Sequence, residues 1–135
     1  MRITSTCIPK KWDEKPYEII ENRMKSTKAT VEFAFSGDIE GSADVEYLMF
    51  YSSFDPEDPH KAKAQYVGLM RITGKLKGKS GSFTLLDNGT FESGAAKSKV
   101  TIVPESGTGE LSNITGGGSY RADQGGCFLE LDVAI

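Results

Sequence analysis

Polar and apolar positions alternate most clearly in 27–36. There Val31, Phe33 and Phe35 fall on one parity, and Thr30, Glu32, Ala34 and Ser36 on the other. A period of two carried by β-branched and aromatic residues predicts a strand. After a turn at about residues 37–42, Val45, Tyr47, Met49 and Tyr51 share one face, and Asp44, Glu46, Leu48 and Phe50 the other. The second face begins acidic and ends apolar, so parity alone leaves open which of the two looks inward.

Similar units, each with its own turn residues, run to the end of the chain. Residues 2–14 read as a first strand that Pro9 must interrupt, because proline cannot donate to a ladder. Residues 15–26 are polar and read as a connecting loop, with a helical turn over Glu18–Met24 as an alternative. Residues 52–63, with Pro56, Pro59 and alternating charges, read as a mobile surface loop. Strands follow at Gln65–Leu76, Ser82–Leu86, Thr90–Glu92, Ala96–Val103 and Cys127–Ile135. Asp87-Asn88-Gly89 reads as a turn or bulge, and Glu110–Gly118 as glycine-rich and turn-like. No helix of full length is evident. About seven or eight strands at this spacing predict one antiparallel all-β domain over 1–135, a sandwich or a closed barrel, the barrel being favoured. Closure would make the first and last strands neighbours and bring Cys7 close to Cys127.

Charge narrows the partners. Sixteen Lys and Arg against nineteen Asp and Glu leave a net charge of −3, without the basic surface that nucleic acid or an anionic membrane requires. Lys75, Lys77 and Lys79 read as a solvated strand face. Met1–Cys7 has no apolar core of a secretory signal, and the apolar run Tyr47–Tyr51 is far too short to span a bilayer. These features predict a soluble cytoplasmic protein whose two cysteines are free thiols. The sequons at Asn88 and Asn113 then read as turn residues.

Catalytic motifs are scarce. His60 is the one histidine and sits in the irregular loop, so neither a zinc set nor a nucleophile–histidine pair can be built around it. Asp55, Glu57 and Asp58 lack the glycine and the terminal glutamate of a calcium loop. Gly107-x-Gly109 and Gly116-Gly117-Gly118 lack the Lys-Ser/Thr of a phosphate loop. No metal and no cofactor is expected. The remaining constellation is Trp12, Glu46, Tyr47, Tyr66 and Arg71. The plain reading makes the aromatics core and leaves Glu46 and Arg71 exposed. The sharper reading turns Glu46 into an apolar cavity, with Arg71 as its nearest partner across the 52–63 loop; desolvation would then make Glu46 a usable acid or base.

A family resemblance covers nearly the whole chain. Trp12-Asp13-Glu14-Lys15-Pro16-Tyr17, Phe35-Ser36-Gly37-Asp38-Ile39-Glu40-Gly41, Val45-Glu46-Tyr47-Leu48, Tyr66-Val67-Gly68-Leu69, Gly74-Lys75-Leu76 with Ser80-Gly81-Ser82-Phe83, Gly89-Thr90-Phe91 and Ser106-Gly107-Thr108-Gly109-Glu110-Leu111 occur in order. Together they resemble the uncharacterised bacterial family called domain of unknown function thirty-two twenty-four. That family is similar to the allene oxide cyclase barrels of plants. The resemblance implies an eight-stranded antiparallel barrel with a central cavity and no assigned activity. The plant enzymes act on an unsaturated fatty-acid epoxide, and none of their catalytic positions carries over to this chain.

The expected function is therefore non-enzymatic binding of a small apolar or amphipathic molecule, with Trp12, Glu46, Tyr66 and Arg71 as ligand-binding candidates. The alternatives are a cofactor-independent isomerase or cyclase acting on a lipid-like substrate, and a solid barrel that works through its surface. Apolar residues on both faces of one strand, Leu48 and Phe50 opposite Tyr47 and Met49, further predict a homo-oligomer.

Overall fold

The structure is a computed structural model and describes residues 1–21 and 24–135. Among the described residues nine strands form one antiparallel sheet: β1 (Arg2–Ile20), β2 (Met24–Gly37), β3 (Ile39–Ser53), β4 (Lys63–Leu76), β5 (Lys79–Glu92), β6 (Ala95–Ile102), β7 (Thr108–Gly109), β8 (Thr115–Asp123) and β9 (Gly126–Ala134). Each strand pairs with the next around a ring, β6 pairing with β8 and β9 returning to β1, while the two-residue β7 lies against β5. Eight strands thus close the barrel that the alternation predicts. Among the described residues the one helical segment is a single 3₁₀ turn, Pro59–Lys61, and no described helix is long and apolar enough to cross a membrane.

Closure settles the parity question. Val45, Tyr47 and Met49 point inward beside Ala29, Val31 and Phe33 of β2, while Leu48 and Phe50 face out. It also sets Cys7 opposite Cys127, with their Cα atoms 5.1 Å apart. The two are joined in a disulfide, which corrects the expectation of free thiols: ring closure places the sulfurs within bonding reach despite 120 residues of separation.

Three further expectations are corrected. Residues 15–20 and 24–26 are strand rather than loop, since β1 and β2 pair as far as Ile20 and Met24. Their polarity arises because β9 pairs with β1 only as far as Cys7, so the β1–β2 hairpin projects past the core and much of it is wetted on both faces. Asn22 and Arg23 of the alternative helical turn lie outside the described residues. Asp87-Asn88-Gly89 runs straight through β5, paired on both sides. Glu110–Gly118 enters strand β8 at Thr115. The interruption expected at Pro9 is present, as a register shift between Pro9 and Lys11. It changes which parity faces in: Ile3, Ser5 and Cys7 before it, Trp12, Glu14 and Pro16 after it.

The two ends of the barrel differ. At one end the β2–β3 and β4–β5 turns are tight, and residues 103–114 fold back so that Leu111 and Ile114 join Ile3, Ile39, Leu76 and Phe83 in the core. That end is sealed. The other end carries the β3–β4 loop, 54–62, and the projecting β1–β2 hairpin, and it is open.

Candidate functional site

The open end holds a cavity of about 470 Å³. Its wall is aromatic and sulfurous: Tyr47, Met49 and Tyr51 from β3, Tyr66 from β4, Phe91 from β5 and Tyr120 from β8. Trp12 covers one side, half-exposed, with its ring centroid 6.5 Å from that of Tyr47. Phe54, Pro56 and Pro59 of the β3–β4 loop form the opposite rim. The loop is held by an Asp58 carboxylate that accepts from the His60 amide at 3.0 Å.

Below the wall lies a buried hydroxyl network built by one device used twice. Gly68 of β4 is the cross-strand partner of Tyr47 on one side and Asp87 on the other. A Cβ at Gly68 would stand 2.6 Å from Tyr47 Cδ1, so the missing side chain lets the ring lie across β4. The Tyr47 hydroxyl then donates to Asp87 Oδ2 at 2.5 Å. One step along, Gly89 sits between Tyr66 and Ser98. A Cβ there would be 2.7 Å from both the Tyr66 and Ser98 oxygens, and those hydroxyls meet at 2.5 Å. Tyr120 completes the floor. Its oxygen is 3.4 Å from Cys127 Sγ, and because that sulfur is in a disulfide the hydroxyl must be the donor.

Burial dominates the electrostatics of this floor. Asp87 is fully buried, and desolvation raises its carboxyl above the ordinary value, opposed by the Ser98 and Tyr47 hydroxyls. Its Oδ1 has no hydrogen-bond partner among the described residues. Desolvation likewise raises Tyr47, Tyr66 and Tyr120, helped in each by the Asp87 charge. These phenols stay protonated at neutral pH and can serve only as donors or as neutral acceptors. At the rim, Glu14 is half-buried and accepts three bonds: Trp12 Nε1 at 3.0 Å to Oε1, and the Tyr51 and Thr27 hydroxyls at 2.6 and 2.8 Å to Oε2.

The four ligand-binding candidates divide. Trp12 and Tyr66 line the cavity together. Glu46 and Arg71 do not; both point outward, and this corrects the reading that turned Glu46 into a cavity. Glu46 shares the outward parity of Leu48, is 65% exposed at its side chain and ion-pairs with Lys28 at 3.7 Å. Arg71 lies opposite Asp44 rather than Glu46, and donates to the Ser82 hydroxyl at 2.9 Å. The groups that replace them, Glu14 and Asp87, escaped the sequence reading for separate reasons. Glu14 is hidden by the parity change at the Pro9 bulge. Asp87 is disguised by a turn-like Asp-Asn-Gly triplet. One signal was available, since isolated glycines within strand patterns, Gly68 and Gly89, mark close approach of other groups.

Among described residues no group of His, Cys, Asp and Glu is arranged to hold a metal ion. A protein from Shewanella oneidensis MR-1, of unknown function and from the DUF3224 family, has a crystal structure of similar fold: the match covers 100% of this chain and 97% of that one, with a TM-score of 0.77 and 23% identity. No curated protein matches the chain. The model of the family described as "Protein of unknown function (DUF3224)" matches residues 3–133. The chain belongs to that family.

Proposed function

We propose that this protein binds one small, largely apolar molecule in the open end of its barrel. The observation that carries this reading is the cavity itself. At about 470 Å³ it lies within the range of small-molecule sites, and an aromatic wall with a few fixed polar groups is the usual lining of such sites. An eight-stranded barrel either fills its interior with side chains or holds one small ligand. Here the sealed end does the first and the open end has room for the second, which counts against a solid barrel. Native mass spectrometry of freshly purified protein tests the reading. The expected result is a bound species lost on gentle activation, or a thermal shift with amphipathic compounds of matching size. A protein that remains bare and shifts with none of them would refute it.

A cofactor-independent isomerase or cyclase is the second reading, favoured by the Tyr66 hydroxyl, which can donate into the cavity when Ser98 is the donor of their shared bond. Fixed hydroxyl donors in a desolvated site stabilise charge that develops on a substrate oxygen. Chromatography of lipid-like compounds incubated with the protein separates the two, because only an enzyme yields product.

Self-association and location belong to the same proposal. Leu48, Val67, Leu69 and Leu86 are exposed side by side on β3, β4 and β5, Leu48 at 54% and Leu69 at 57%. This face supports a homo-oligomer, and a monomeric mass by light scattering at micromolar concentration would count against one. A cytoplasmic location predicts that fractionation of the producing cells recovers the protein with the cytosolic markers, and recovery in the periplasmic or secreted fraction would refute it.

A further inference from the structure

Resting on the cavity reading above, we propose that the ligand is a cation: a primary or quaternary ammonium whose head sits at the rim between Glu14 and the faces of Tyr51 and Phe54, with an apolar body in the cavity. The first ground is Glu14. All three of its hydrogen bonds come from neutral donors, Trp12, Thr27 and Tyr51, and no described cation ion-pairs with it. Such donors orient a carboxylate without neutralising it. Asp55 adds a second carboxylate to the same lining.

The second ground is independent. Lys25 Nζ lies 4.8 Å from the centroid of Tyr51 and 4.5 Å from that of Phe54. An ammonium within about 6 Å of an aromatic face is held by the ring quadrupole. The rim thus already holds a cation, supplied by the chain itself. Tyr51 joins the two grounds, its face meeting the ammonium while its hydroxyl donates to Glu14. Lys25 is in no described ion pair, so a ligand's ammonium can take its place without stranding a partner. Lys25 occupies the head-group position and competes with the ligand for it.

The competition gives the test its sign. Calorimetric titration with benzyltrimethylammonium, neutral benzyl alcohol and anionic phenylacetate compares three probes of similar body. The ammonium should bind about tenfold tighter than the alcohol, on the scale of a partly desolvated cation–π and ion contact. Glu14→Gln should remove that advantage and leave the alcohol unaffected. Phe54→Leu should do so partially, which guards against a folding defect in the first variant. Lys25→Met should tighten the ammonium. Phenylacetate binding tightest and weakening in Lys25→Met would overturn the cation assignment while leaving cavity binding intact, as would equal affinity for ammonium and alcohol. Binding of none of the three would overturn both.

Discussion

The sealed and open ends of this barrel share strands whose inward alternation runs on from one end to the other in all but β1, where the Pro9 bulge reverses it, yet they are filled by different chemistry. At the sealed end the inward side chains are Ile3, Ile39, Leu76, Phe83, Leu111 and Ile114, each essentially without solvent contact. At the open end they are Tyr47, Met49, Tyr51, Tyr66, Phe91 and Tyr120, and a cavity remains among them. Branched aliphatics interdigitate to crystal-like density. Phenols cannot pack that way without stranding their hydroxyls, so each reaches for a partner: Tyr47 for Asp87, Tyr66 for Ser98, Tyr51 for Glu14. Stability is therefore concentrated at one end and recognition at the other.

Truncation of the core should give the largest contrast. Leu111→Ala is expected to cost about 2–5 kcal/mol, the usual range for a fully buried leucine, whereas Met49→Ala, which faces existing space, should cost less than half as much. Urea denaturation of both variants checks this, and equal losses would show that the two ends are packed alike. Next in size is the bond that closes the ring. Cys7→Ser combined with Cys127→Ser should lower stability by about 2–4 kcal/mol, because the crosslink restrains a very long loop in the unfolded chain. Dithiothreitol should reproduce that loss in the native protein and do nothing to the double variant.

The smallest effect concerns Asp87 and is read against pH. Its carboxyl is raised in the folded protein by burial, so the folded state keeps a proton in a range where the unfolded chain releases it. Stability is full below the ordinary carboxylate value, declines as pH rises through the raised value and is level above it, with a slope of at most about 1.4 kcal/mol per pH unit. Asp87→Asn should flatten that decline. Tyr47→Phe should extend the decline to higher pH, since it removes the hydrogen bond that the Tyr47 hydroxyl donates to Asp87 Oδ2. A variant Asp87→Asn with an unchanged pH profile would mean that another group titrates.

The alternation of Val31, Phe33 and Phe35, the turn residues and the glycines between apolar runs were enough to determine an antiparallel all-β chain, because a period of two is a property of neighbouring residues in one strand. Ordered segments from Trp12 to Leu111 were enough to point to the family. Tertiary structure alone decided what faces what. Whether Tyr47 or Glu46 looks inward depends on which side of the sheet closes, and a bulge at Pro9 reverses the parity that places Glu14. Asp87 meets Tyr47 only because a glycine on the strand between them leaves the ring room to cross. Cys7 meets Cys127 only because the ring closes. Such contacts depend on register between strands far apart in the chain, and the physical terms that set it, exclusion of water and the fit of side chains across a closed barrel, act on the folded whole.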